Sequence, residues 1–509
     1  PKSTAAKITQ KDTTPFPMKL FVFLTLLLSL PTFGLFARPN IVFLFADDQR
    51  PDTIGAHGNE HIQTPHLDRL AASGLSFNRN YCAGSYSGAV CVASRSMLMT
   101  GRHWHRIKDT RNWEGLTTFP EHLAQAGYTT HAVGKWHNGQ TTLARSFQTG
   151  ANLFIGGMSD HTKVPLQNLN RDGTLTEKKI GTRFSSTHFA NAAIDFIQEQ
   201  DSDAPYLLYV AFTAPHDPRN PPPSYRRLYY ENRPPLPENF LPDHPFDNGH
   251  LNGKKRDESL AAHPRTKSVV SDQLCEYYGL ITQLDTQVGR ILDAVENSPA
   301  GENTIVIYTA DHGLSAGSHG LLGKQNVYEH SMGAPLILSG PGIPQNQSTD
   351  AMTYILDLNR TIFELCGVPA PKGIDGADLT PLFKNPTASV RESLFLPFQD
   401  IMRAVRNERY KLHIYPKINH TLLFDLHTDP GEMNNLAEDP AYSNQREELF
   451  ALMKSWQSRL GDPSPLQVDN PAPKEVDFSK IERSLDRWQP DWIREKYFGG
   501  RSRADHGSK

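Results

Sequence analysis

Four times along the chain, a short apolar run ends in residues able to bind a metal or an anion. In "NIVFLFADDQ" the run Ile41 to Ala46 is followed by Asp47 and Asp48. In "YTTHAVGKWHNG" a strand expected near Tyr128 to Val133 is followed by Gly134, Lys135 and His137. "APYLLYVAFTAPHDPRNPP" gives a strand near Tyr206 to Phe212 and then His216. "NTIVIYTADHG" gives one from Thr304 to Thr309, then Asp311 and His312. Continuous apolar runs of this length suit strands buried on both faces. Helical stretches lie between them, at 187–199 and 270–297. In the second, Leu274, Tyr278, Ile281, Leu284, Val288, Ile291 and Val295 recur at helical spacing. Alternating strands and helices predict an α/β sheet with helices on both faces. Ligands of such sheets bind beyond the carboxyl ends of the strands. The four polar endings therefore predict one site at one sheet edge.

At 509 residues the chain exceeds one simple core. A large domain is expected over 38–385 and a smaller one over 386–509. In the latter, "SLFLPF", "RAVRNERYKLHIYP" and "TLLFDL" read as a short antiparallel sheet. The stretch 218–266 is rich in Pro, Asn, Asp and Arg and reads as a long surface excursion beside the site. Net charge is −3 with both signs interspersed, which argues against a nucleic-acid partner. From Met18 to Ala37 a single lysine, an apolar run and small residues form the pattern of a secretory leader, so 1–37 is read as an upstream segment plus signal peptide. That pattern predicts an exported protein, periplasmic or secreted, with no stable membrane span. Four cysteines are too few for a disulfide framework.

One of those cysteines sits in "CVASRSMLMTGRH". On composition alone Cys91 is a small buried hydrophobe at a helix start. Its surroundings say more. Cys91, Ser94, Arg95, Leu98, Thr100, Gly101 and Arg102 resemble the signature C-x-P-S-R-x-x-L-x-T-G-R of the type I sulfatases, of the alkaline-phosphatase-like superfamily. Ala93 stands where the family usually has Pro, although some members carry Ala. The "DD", "GKWH", "PHDP", "DHG" and "GKQNVYEHS" stretches match in order, from Pro39 to about Pro440. The resemblance implies a large mixed sheet sandwiched by helices, with a smaller C-terminal domain.

It also implies that a maturation enzyme oxidises Cys91 to formylglycine. A hydrated aldehyde there has one hydroxyl to attack sulfur and a second whose deprotonation expels sulfate. Asp47, Asp48 and Asp311, with residue 91 and His312, become metal ligands. Hard oxygens suit Ca²⁺, or Mg²⁺ or another divalent ion. Arg95 becomes the stabiliser of the hydrate, Lys135 and Lys324 the sulfate holders, His137 the hydrate's hydrogen-bond partner and His216 the general acid. Asp160, His161, Trp104 and His105 are candidate substrate contacts. The expected activity is hydrolysis of sulfate monoesters, on a carbohydrate or sulfated polysaccharide fragment. Two alternatives stand beside it: a phosphoester or phosphonate hydrolase of the same superfamily, and an inactive sulfated-glycan-binding protein.

Overall fold

The computed structural model describes residue 5 and residues 38–200, 204–251, 257–261 and 263–478. The expected leader and the end of the tail lie outside the described residues.

The largest sheet has ten strands. In chain order they are β1 (Asn40–Asp47), β2 (Gly74–Phe77), β3 (Thr129–Trp136), β4 (Thr149–Ile155), β5 (Pro165–Leu169), β6 (Lys179–Ile180), β7 (Tyr206–Pro215), β8 (Thr304–Ala310), β9 (Leu336–Ser339) and β10 (Gln347–Thr349). Their spatial order is β10-β2-β9-β8-β1-β7-β3-β4-β5-β6. The central run β8-β1-β7-β3-β4 is parallel, whereas β9 pairs antiparallel to β8 and to β2. The four strands anticipated from the polar endings are therefore neighbours, all pointing the same way. Ala46 pairs with Ala310, so Asp47 and Asp311 emerge side by side. Strand β1 is buried along its whole length, as its unbroken apolar run requires.

Three helices matter for the site. Helix α1 (Val90–Thr100) is buried on every side. Helix α2 (Ser185–Gln198) packs on β7 and on the long α3 (Lys267–Glu296). Helix α1 ends at Gly101, whose φ is 66°. A Cβ there would come within 2.6 Å of Asn359 Oδ1. Asn359 Nδ2 in turn donates to the carbonyls of Leu98 and Met99 at 2.9 and 3.0 Å. The Thr-Gly-Arg end of the cysteine motif thus terminates a helix that has no room for a side chain at that turn.

A second sheet is antiparallel, in the order β11 (Leu394–Phe398), β12 (Met402–Arg406), β13 (Tyr410–Tyr415), β14 (His420–Asp425). It shares one apolar core with the large sheet. The described parts of the 218–266 excursion include short helical pieces. Pro222 and Pro223 open a helix over Pro223–Glu231 that buries Tyr229 against α3, and a single turn forms at Asp257–Leu260.

Buried ions tie the small sheet to the short helix Glu329–Met332, which leads into β9. Glu329 accepts from Lys411 Nζ at 2.8 Å and from Arg406 Nη1 at 2.7 Å. Glu432 lies 2.9 Å from Lys411 Nζ and accepts from the Glu329 N–H at 2.7 Å. Burial opposes ionisation of both carboxyls. Lys411, with Arg406 for Glu329 and His413 for Glu432, outweighs it and holds both below the usual range. Groups whose folded pKa is depressed contribute stability above the unfolded carboxylate pKa and lose it as pH falls. We predict that Glu432→Ala lowers unfolding free energy by about 3–5 kcal/mol at neutral pH. Urea titrations should show the gap narrowing as pH falls to about 3. A gap that stays constant with pH would refute the ionic account.

Candidate active site

The three carboxylates expected at the sheet edge meet there, almost without solvent. Asp47 and Asp311 are fully buried and Asp48 is 4% exposed. Asp48 turns the chain off β1 with a left-handed backbone, φ 66°. Its N–H donates to Asp311 Oδ1 at 3.0 Å, and its carbonyl accepts from the Tyr277 hydroxyl at 2.6 Å. Three anions cannot share a dry pocket without cations. Arg95 supplies one, with Nη2 at 3.1 Å from Asp311 and 3.6 Å from Asp47. Lys135, from the end of β3, donates to Asp47. Lys324 reaches Asp48 with Nζ at 2.8 and 2.9 Å from its two oxygens. Arg95 also lies over the Phe45 ring at 4.7 Å.

Cys91 is the second residue of α1, whose first turn has no side-chain cap. Its Sγ lies 3.0 Å from His137 Nδ1. Burial alone would raise the thiol. His137, Lys135 and Lys324 overcome that and hold it well below the usual thiol value. A position that favours a thiolate favours other anions placed there, a sulfate included. The helix itself is held in place by polar groups. Ser94 Oγ donates to the Asp311 carbonyl at 2.7 Å, and Asn138 Nδ2 donates to the Val92 carbonyl at 3.0 Å.

His312 Nε2 approaches Asp48 Oδ1 at 3.2 Å and Asp311 Oδ1 at 3.7 Å. Burial opposes its protonation, but those carboxylates raise it to about 9. Two candidate ligand groups adjoin here, Cys91–Asp311–His312 and Asp47–Asp48–His216, each with its donor atoms within 4.8 Å of one another. Asp47 Oδ1 is buried without a hydrogen-bond partner among the described residues. A buried acceptor left unbonded in a carboxylate cluster fits a cation with hard oxygen ligands.

A cavity of about 330 Å³ opens above these groups. Cys91, His137, His216 and Lys324 line it. His216 is buried, with Nε2 at 3.6 Å from Asp48 and Nδ1 within 2.8 Å of the Asp217 carbonyl. The candidate substrate contacts are placed otherwise. His161 is buried behind His216, with Nε2 at 2.9 Å from its carbonyl. Asp160 accepts from the Thr162 N–H and hydroxyl, both at 2.7 Å. Trp104 stacks on His105 at 3.5 Å, and His105 Nε2 lies 3.5 Å from Asp462. None of these four is among the residues lining the cavity.

The lining instead includes Gly157, Met158, His250, Asp257, Gln325 and Gln399, which sequence reasoning did not select. Gly157 had a signal, as one of a glycine pair just after β4. A Cβ on it would sit 2.5 Å from His137 Nε2. Gln325 follows Lys324 in "GKQN" and bridges the Gly88 carbonyl at 3.0 Å and Asp257 at 2.7 Å.

Known proteins resemble the chain over most of its length. The "Sulfatase" family model matches residues 39–368, and the "N-sulphoglucosamine sulphohydrolase, C-terminal" model matches 317–459. An N-acetylglucosamine-6-O-sulfatase of Bacteroides thetaiotaomicron is 26% identical, across 84% of this chain and 88% of that protein. A protein solved in complex with its substrate D-glucosamine-2-N,6-O-disulfate superposes with a TM-score of 0.71 at 23% identity, across 84% and 99% of the two chains. The phosphonate monoester hydrolase of Agrobacterium radiobacter superposes at 0.68 and 21% identity, across 83% and 96%. These two likenesses establish the fold, the alkaline-phosphatase-like one, and do not by themselves separate sulfate from phosphonate chemistry. The family match does: the chain belongs to the sulfatase family and is a hydrolase of sulfuric esters.

Proposed function

We propose that the chain cleaves sulfate monoesters carried on a carbohydrate, with residue 91 acting as formylglycine made from Cys91. The observation that carries the reading is the position of Cys91. It lies at a helix start beside His137, in the field of Lys135 and Lys324 and over three buried carboxylates. The sugar assignment draws support from the similarity to an N-acetylglucosamine-6-O-sulfatase. The leader pattern at Met18–Ala37 supports export. Residues 38–385 form the catalytic domain in this reading and 386–509 the smaller C-terminal one.

Asp47, Asp48, Asp311 and His312, together with residue 91, would hold Ca²⁺, with Mg²⁺ as the other candidate. Such an ion would supply positive charge to stabilise the negative charge that develops in the reaction. Formylglycine would supply a hydrated aldehyde: one hydroxyl displaces the sugar alcohol from sulfur, and deprotonation of the second expels sulfate and restores the aldehyde. The remaining work falls to this chain's own side chains. Lys135 and Lys324 hold sulfate oxygens as point charges. Arg95 keeps Asp311 and Asp47 in place and adds positive charge beneath residue 91. His137 accepts from or donates to the group at position 91, 3.0 Å away. His216 lines the same cavity and donates a proton to the departing oxygen.

The reading is tested by measuring sulfate released from the 6-sulfates of N-acetylglucosamine and N-acetylgalactosamine, other saccharide sulfates and nitrophenyl sulfate. Matched phosphate esters serve as the comparison. Saccharide sulfates should be preferred. A preference for phosphate or phosphonate esters would transfer the chain to the alternative hydrolase. Saturable glycan binding without turnover would make it a binding protein. Chelation should abolish turnover and Ca²⁺ should restore it. Asp47→Ala and Asp311→Ala should each abolish it, because each removes a charged ligand. Full activity in protein shown metal-free by elemental analysis would contradict the metal assignment.

His216→Ala should slow a saccharide sulfate by about 10²–10⁴. Nitrophenyl sulfate, whose leaving group needs no proton, should lose far less. Measuring kcat/KM across leaving groups of graded acidity separates these outcomes. An equal loss for all would make His216 a positioning residue.

A further inference from the structure

The connection between β11 and β12 brings one residue of the second sheet into the active-site cavity. Gln399 lines it together with Cys91, His216 and Lys324. Its backbone is left-handed, φ 47°, a conformation that non-glycine residues adopt at a cost. The surroundings hold it there. The Gln399 N–H donates to the Ser85 carbonyl at 2.7 Å, and the Ser85 N–H donates to the Pro397 carbonyl at 2.9 Å. That approach depends on Gly84, where a Cβ would fall 2.0 Å from the Pro397 oxygen at a φ of 82°. From the other side, Arg403 donates to the Gln399 carbonyl at 2.6 Å. Arg403 is itself fixed by Asp462 at 2.7 and 2.9 Å. Next door, the Phe398 ring packs edge-on against His250 at 5.4 Å.

The backbone is fastened from two sides, yet the Gln399 carboxamide forms no hydrogen bond with any described residue. Gln325, the other amide in the lining, is already committed to Gly88 and Asp257. An uncharged amide offers two donors and an acceptor. That suits neutral polar groups and is too weak to hold a sulfate alone.

We propose that Gln399 reads the leaving sugar, by hydrogen bonding a hydroxyl or acetamido group on the ring that bears the sulfate. Specificity for the alcohol then comes from the second sheet, while the chemistry comes from the first. This inference rests on the carbohydrate reading above.

Two variants test it. Gln399→Asn keeps an amide on a residue that tolerates the left-handed backbone, but withdraws it by one methylene. Gln399→Gly removes it without strain. Each should lower kcat/KM about tenfold for the saccharide sulfate that wild type turns over fastest in the panel. Nitrophenyl sulfate, which has no such hydroxyl, should be turned over as by wild type, and thermal melting should be unchanged. An equal loss on both substrates, or no loss on either, overturns the role of Gln399 and leaves the sulfatase reading standing. If wild type hydrolyses nitrophenyl sulfate but no saccharide sulfate, the carbohydrate reading and this inference fall together. If either variant melts lower and also loses both activities, Gln399 supports the fold and not the substrate.

Discussion

Three carboxylates buried at the ends of two paired strands set the terms for everything around them. Asp47 and Asp311 are fully buried on adjacent parallel strands, and Asp48 follows directly. Burial and the neighbouring Asp311 and Asp48 push the Asp47 carboxyl up, with Lys135 pulling against them. Asp311 goes the other way: burial would raise it, but His312 and Arg95 hold it well below the usual carboxylate range. Such a cluster persists only if cations surround it. Arg95, Lys135 and Lys324 come from three separate parts of the chain to do so. The same cations that balance the carboxylates create the anion-favouring pocket at residue 91. One electrostatic requirement therefore accounts for both the carboxylate cluster and the anion-favouring face beside it.

The helix start at Cys91 is built to the same end. Helix α1 is buried all round, so its polar side chains must find partners inside. Ser94 uses the Asp311 carbonyl and Arg95 the Asp311 carboxylate, which ties the helix to the strand end it faces. Gly101 and Asn359 close the other end. In the folded chain the cysteine motif is thus a set of anchors.

The central strands and the charged site were legible because both leave local traces. A strand buried on two faces must be apolar throughout, and a strand that ends in a site must end in its ligands, as "FLFADD" does. The cysteine motif was legible by resemblance. The outer lining of the cavity was not. Gln399 reaches it through the packing of a second sheet, and His250 and Asp257 through a proline-rich excursion. No period or spacing marks such residues. Trp104 and His105 drew attention as an aromatic and basic cluster, yet their rings stack on each other and reach Asp462. Asp160 and His161 lay in the right loop, but Gly157 and Met158 are the residues that face the cavity.

The central claim is that this pocket works through an oxidised residue 91 and not through a thiol. Peptide mass spectrometry on active protein, matched to sulfate release from the same preparations, tests it most directly. The account predicts an aldehyde in place of the thiol, activity in proportion to the aldehyde fraction, and none in Cys91→Ala. Full activity from protein whose residue 91 is entirely thiol would contradict it.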